Sequence, residues 1–224
     1  MLHDLKIIYV GSAGVLSIIP LRVLLRAGVG ITAIAIMDET IEYLQQQPPT
    51  IADIRVGEEE LLSTSASLLE IAEAFHIPVV SLSDLLKDDQ EKLAALQPDL
   101  MLMSCFSRKL PAAIFQLPRL GCFNLHPSVL PAYRGPSPVH WQCVHKVQES
   151  GVTIHKVDAE FDRGDIAVQK KISTRHCLNK MELGYKLSLL GGEAFLDLLE
   201  LMEEDQLILT PQIEAEASYY GFPD

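Results

Sequence analysis

Residues 5–10 (LKIIYV) form an apolar, β-branched run that closes on Gly11, and a second such run spans residues 28–37 (GVGITAIAIM). Between them, residues 15–26 carry apolar side chains at helical spacing, with Pro20 inside the pattern as the point where the helix starts or kinks. Strand, glycine turn, helix and strand close into one sheet through a crossover, which makes the two strands parallel. That opening commits the chain to α/β layering before any residue of chemical interest is considered.

Further strand-like runs follow at residues 78–81, 100–105, 120–125, 152–157 and 166–172, separated by helical patterns at 67–75, 88–96 and 181–202. Residues 38–64, polar and interrupted by Gln45-Gln46-Gln47-Pro48-Pro49, read as an irregular surface excursion. Gly191-Gly192 reads as a soft break in the last helix. No repeat or linker divides the chain, so residues 1–224 are expected to form a single Rossmann-like α/β domain with a mainly parallel central sheet flanked by helices. The turn Gly11-Ser12-Ala13-Gly14 is neither GxGxxG nor a Walker loop and reads as an ordinary strand-to-helix turn.

Charge and cysteine usage narrow the function classes. With 30 Asp and Glu against 18 Lys and Arg, the net charge of −12 disfavours a grip on nucleic acid, which needs clustered cations to collect phosphates. The charge-rich stretches at residues 57–60 and 203–205 are acidic. No apolar run reaches the roughly 18 residues of a membrane span, and residues 1–6 lack the basic start of a signal peptide. Cys105, Cys122, Cys143 and Cys177 are dispersed, which reads as buried thiols, not disulfides or zinc ligands. A cytoplasmic protein without a metal site is expected.

The chemistry-bearing residues concentrate after the run at 120–125. Asn124 and His126 are two positions apart on a strand end and therefore point the same way. Asp162 lies in a loop after the run at 152–157, and in a parallel sheet such strand-end loops converge on the ligand crevice. An amide donor, a tunable imidazole and a carboxylate to orient it suit the movement of an acyl group. Singly, an Asn beside a turn caps backbone and a His after a strand is structural; together the three point to catalysis.

Two long motifs carry a specific resemblance. Asn124-Leu125-His126-Pro127-Ser128-Val129-Leu130-Pro131-Ala132-Tyr133-Arg134-Gly135 resembles the Asn-x-His-x-Ser-Leu-Leu-Pro-x-x-Arg-Gly pattern of the 10-formyltetrahydrofolate-dependent formyltransferases, with Val129 in place of one Leu. Gly151-Val152-Thr153-Ile154, Asp158 and Asp162-Arg163-Gly164-Asp165 resemble that family's second motif, with Arg163 where Thr is frequent. The family includes methionyl-tRNA formyltransferase, glycinamide ribonucleotide transformylase and the sugar N-formyltransferases.

The resemblance implies the formyltransferase fold, 10-formyltetrahydrofolate as formyl donor, and Asn124, His126 and Asp162 as catalytic residues. It also implies that Phe106, Arg108 and Leu110, the segment Ser128, Val129, Leu130 and Pro131, and the loop from Val157 to Asp162 contact the folate. Phe106 and Leu110 have a plain alternative as core residues. Cys105-Phe106-Ser107-Arg108 departs from the Tyr-Gly pair common in the tRNA enzymes. Around these, Arg134 is expected to anchor its loop on carbonyls and Trp141 to pack beneath it. His140 and His145, five apart, are not a helical metal pair, and His155 and His176 read as surface or structural residues.

The acceptor is an amine whose identity the motifs do not name. The N-terminal half resembles the methionyl-tRNA enzyme more than the purine enzyme, whose phosphate loop is absent at residues 11–15. Yet residues 38–64 contain only Arg55 as a basic residue, and the chain is read as a catalytic domain without the tRNA enzyme's C-terminal β-barrel. An amino-sugar nucleotide or another small amine is the alternative acceptor, and a folate-binding hydrolase the alternative activity. The expected partners are folate and an amine, with tRNA disfavoured by the acidic charge and no membrane.

Overall fold

The computed structural model describes residues 5–46, 67–106, 108–175 and 179–223. Its elements in chain order are β1 (Ile7–Gly11), α1 (Val15–Arg26), β2 (Ala33–Met37), α2 (Asp38–Gln46), α3 (Leu68–Ala74), β3 (Val79–Leu82), α4 (Lys87–Ala95), β4 (Leu100–Ser104), α5 (Ala112–Phe115), β5 (Cys122–His126), α6 (Pro138–Val144), β6 (Glu149–Lys156), β7 (Ile166–Ser173) and α7 (Lys180–Glu203). Among the described residues, seven strands form one sheet in the order β3-β2-β1-β4-β5-β6-β7. The first five pair in parallel, as the crossover pattern requires, while β6 and β7 run antiparallel. The expected mainly parallel sheet flanked by helices is therefore present.

Alternation along β1 builds two cores at once. Ile7 and Tyr9 enter the cluster under α1, α3 and α7, and Ile8 and Val10 enter the opposite cluster with Leu93 of α4 and Ile114 of α5. Because β1 is flanked by β2 on one side and β4 on the other, the strand order reverses there. Ligand crevices of open α/β sheets form outside the carboxyl ends of the strands at such a switch point.

Serines fasten that end. Ser12 N–H donates to Ser17 Oγ (2.9 Å), Ser17 Oγ to Ser104 O (3.0 Å), and the Tyr9 hydroxyl to Ser17 O (2.6 Å). Pro20 neither begins nor stops α1, which runs through it. Proline removes the N–H that would bond Leu16 O four residues earlier, and the Ser104 hydroxyl donates to that freed carbonyl.

Several expectations are corrected. The run at 28–37 is strand only from Ala33, because Gly28 has φ 79° and turns the chain. Residues 38–46 are not irregular but form α2, with Leu44 buried, while 47–64 lie outside the described residues. Gly191-Gly192 does not interrupt α7, which is continuous for 24 residues. These glycines serve close packing: a Cβ at Gly191 would lie 2.4 Å from Leu125 Cδ2, and one at Gly192 2.5 Å from Val23 Cβ.

Gly192→Ala is accordingly expected to destabilise the fold by about 1–3 kcal/mol through overpacking against α1, outweighing the roughly 1 kcal/mol that alanine gains in a helix. Urea unfolding checks this; an unchanged or higher midpoint would contradict the packing account.

Candidate active site

Strand register assembles the site. Antiparallel pairing sets Asn124 opposite His155 and His126 opposite Thr153, so all four side chains occupy one face. Asn124 Nδ2 lies 3.1 Å from His155 Nε2, and His155 Nδ1 lies 3.1 Å from Lys156 O. With Nδ1 donating to a carbonyl, Nε2 accepts one Asn124 N–H. The amide's second N–H remains for a ligand in the adjoining cavity, which Asn124 lines.

Asp162 reaches this face by a different route from the one expected of parallel sheets. Because β6 is antiparallel to β5, its carboxyl end lies beside the amino end of β5, and Val157 N–H donates to Cys122 O (2.8 Å). The chain then doubles back, with Lys156 N–H donating to Asp165 O (2.9 Å). The reversal needs Gly164, where a Cβ would sit 1.7 Å from Lys156 O. Asp162 itself adopts φ 55°, in the left-handed region that Asp tolerates better than most residues.

The carboxylate so delivered is nine per cent exposed. Its Oδ1 lies 3.4 Å from His126 Nδ1 and 3.7 Å from His155 Nε2, and its Oδ2 accepts the Gly135 N–H at 2.8 Å. On the other side of the ring, His126 Nε2 is 2.8 Å from Tyr133 O. Both His126 nitrogens thus face groups that only accept, an arrangement satisfied by the doubly protonated ring. Burial pulls the imidazole pKa down, but the Asp162 charge, its hydrogen bond and the Tyr133 carbonyl together raise it above the usual value, against the opposing Arg134 charge. Burial likewise pushes the Asp162 pKa up, and the His126 charge and hydrogen bond outweigh it, holding the carboxyl well below the usual carboxylate range.

A cavity of about 470 Å³ opens over these groups. Phe106, Leu125, Val139 and Phe161 give it apolar walls, and Tyr219 and Phe222 stand exposed at its rim. Of the folate contacts expected from sequence, Phe106 lines this cavity. Leu110 is instead buried in the core cluster around Met101 and Ile114. Arg108 is exposed and forms a two-pronged pair with Glu39 of α2, at 3.2 and 2.7 Å.

Residues 128–131 shape the loop and do not wall the cavity. Ser128 Oγ donates to Ala132 O, Ser128 O accepts from Thr153, Val129 stands against Gly151, Leu130 is buried, and Pro131 O accepts from Ser218. Val157 lines a separate depression beside Phe115 and Lys156.

Other expectations change. His155, expected as a surface or structural residue, is not on the surface but buried beside Asn124. The Arg134 guanidinium bonds Gln212 Oε1 and the Glu214 carboxylate, not backbone carbonyls. Trp141 on α6 stacks on Tyr220 at 5.5 Å and donates to Gly221 O. Cys122 is buried as expected, but Cys105 is exposed at the cavity; Cys177 and His176 lie outside the described residues. Among the described residues, no group of three His, Cys, Asp or Glu side chains is placed to hold a metal, and no helix is long and apolar enough to cross a membrane.

The family description "Formyl transferase" matches residues 69–199, more than half of the chain. The chain belongs to the formyl transferase family. Among curated formyl transferases, methionyl-tRNA formyltransferase of Brucella anthropi is 34% identical over 77% of this chain and 56% of its own length. The enzyme of the same name from Bartonella bacilliformis is 34% identical over 89% of this chain and 60% of its own. The chain thus spans little more than half the length of these relatives.

Solved formyl transferases share the fold. The N-formyltransferase of Helicobacter canadensis, in complex with folinic acid and dTDP-3-aminofucose, superposes with a TM-score of 0.68 at 19% identity, covering 97% of this chain and 71% of that one. Glycinamide ribonucleotide transformylase 1 of Symbiobacterium toebii superposes with a TM-score of 0.68 at 18% identity, covering 94% and 95%.

The charged pair sets a pH dependence for this formyl transferase domain. A raised His126 pKa contributes stability that is complete below its unfolded value of about 6.5 and lost as pH rises through the folded value. The lowered Asp162 pKa contributes stability that is complete above about 3.9 and lost as pH falls towards the folded value. Asp162→Asn should therefore cost roughly 3 kcal/mol at about pH 5.5, where both contributions are complete, and less at about pH 9. Urea unfolding at the two pH values checks it, and a gap that does not change with pH would contradict the pairing.

Proposed function

We propose that this domain transfers a formyl group from 10-formyltetrahydrofolate to a primary amine. The observation that carries the reading is the convergence of Asn124, His126 and Asp162 on one cavity, with one Asn124 N–H unspent and both His126 nitrogens facing acceptors. When the neutral amine attacks the formyl carbon, negative charge grows on the formyl oxygen, and donors preorganised around that atom are the largest source of rate. Asn124 supplies the hydrogen bond. His126, whose two N–H groups are committed to Tyr133 and Asp162, supplies the positive charge. Asp162, with its depressed pKa, is a weak base whose part is to keep His126 charged and oriented. Attack makes the amine nitrogen acidic, and its proton passes through water to the folate nitrogen that leaves.

The acceptor we favour is a small amine, such as that of an amino-sugar nucleotide, over charged initiator tRNA. The net charge of −12 supports this, since tRNA presents a polyanionic backbone where a small amine presents few phosphates or none. The likeness to methionyl-tRNA formyltransferases keeps tRNA as the competitor, and both belong in the assay.

His126→Ala and Asp162→Ala should each lower formyl transfer by at least about a hundredfold while leaving the circular dichroism spectrum intact; near-wild-type turnover in either would sink the mechanism. Tetrahydrofolate or its 5-formyl derivative should raise the thermal midpoint, since ligand at about a hundred times Kd stabilises the native state by roughly 2.7 kcal/mol. No shift at saturating folate would count against the donor.

A further inference from the structure

After α7 the chain returns to the site beyond the region matched by the family. Thr210 pairs with Ile166 at the start of β7, and two residues later Gln212 stands between the two catalytic loops. Its Nε2 donates to Asp162 O (2.9 Å) and Gly164 O (2.8 Å), and its Oε1 accepts from Arg134 Nε (3.2 Å) and Nη2 (2.8 Å). An amide has two N–H groups and one oxygen, and all are used. Arg134, four per cent exposed, gives two of its three remaining N–H groups to the Glu214 carboxylate at 2.8 and 3.1 Å.

The two loops so joined are those that hold the imidazole. The loop after β5 brings Tyr133 O to His126 Nε2 and Gly135 N–H to Asp162 Oδ2; the loop after β6 brings Asp162 Oδ1 to His126 Nδ1. Asp162 is in the left-handed region, a conformation that persists only where surrounding contacts over-determine it. The carbonyls of Asp162 and Gly164, on both sides of Arg163, are the ones Gln212 grips.

We propose that Gln212 is a positioning residue of the formyl-transfer site: by pinning the Asp162–Gly164 backbone to Arg134 it holds the carboxylate against His126. The proposal rests on the formyl-transfer reading for its kinetic consequence only. The groups bearing on the ring are Asp162, with His155 behind it, from β6 and its loop, and the Tyr133 carbonyl and Arg134 charge from the loop after β5. Releasing Asp162 removes the attraction that keeps the ring cationic and leaves burial and Arg134 opposing it.

The test uses two neutral variants, so that any change reflects displacement and not added charge. Gln212→Met keeps the length and removes all four hydrogen bonds. Gln212→Asn keeps an amide beside Arg134 but is too short to span both loops. In each, kcat should fall about 10- to 100-fold with KM for the folate donor within about twofold. The alkaline limb of the kcat profile should move to lower pH, and so should the midpoint of the His126 ring titration followed by NMR.

An unmoved His126 midpoint with kcat within about twofold of wild type would overturn the proposal. So would global unfolding of both variants, which would assign Gln212 a structural role alone. If wild-type protein formylates none of the amines offered, the formyl-transfer reading fails, while the His126 midpoint still decides the positioning.

Discussion

An imidazole buried between a carboxylate and a backbone carbonyl, an arrangement that favours its cationic form, is the constraint on which the rest of the site depends. Removing a charge from water costs several kcal/mol per ion even after relaxation, and attraction offsets this only where geometry and further hydrogen bonds are good. Each supporting feature supplies one of those bonds. Gly135 N–H occupies the second Asp162 oxygen, and Tyr133 O occupies the far ring nitrogen. Loss of either leaves a buried charge less compensated.

The fold serves that pair by placing strand ends, not by lending a prebuilt pocket. Reversal of strand order at β1 opens a crevice over the carboxyl ends of β1, β4 and β5, which explains why Leu16, Cys105 and Asn124 share one cavity. The tie from Ser104 to the carbonyl freed by Pro20 fixes α1 beside that crevice. On the far side, α7 comes so close to Leu125 that glycine is required. Leu125 lies between Asn124 and His126, so that contact also presses the strand end that carries them into place.

Legibility in the sequence followed the range of the interactions. The βαβ opening, the parallel strands and the trio Asn124, His126 and Asp162 depend on local periodicity or on motifs read within a few residues. What escaped depends on contacts between distant segments. His155 became part of the site through an antiparallel register with Asn124, 31 residues away, and β6 carries no sign of its direction. Arg134 meets partners 78 and 80 residues on. Gly191 and Gly192 resemble a helix break because glycine lowers helix propensity, yet they answer to the surfaces of Leu125 and Val23. The expected convergence of strand-end loops reached Asp162 for the wrong reason, since a loop that doubles back, and not a parallel strand, delivers it.

The ionisation of one ring tests this account most directly. At pH 6.5, the ordinary histidine pKa, nitrogen-15 NMR of the folded wild-type protein should find the His126 ring predominantly protonated, with N–H groups at both Nδ1 and Nε2. A ring found mostly neutral at that pH, with a single N–H, would contradict the charge that the Asp162 carboxylate and the Tyr133 carbonyl are arranged to hold.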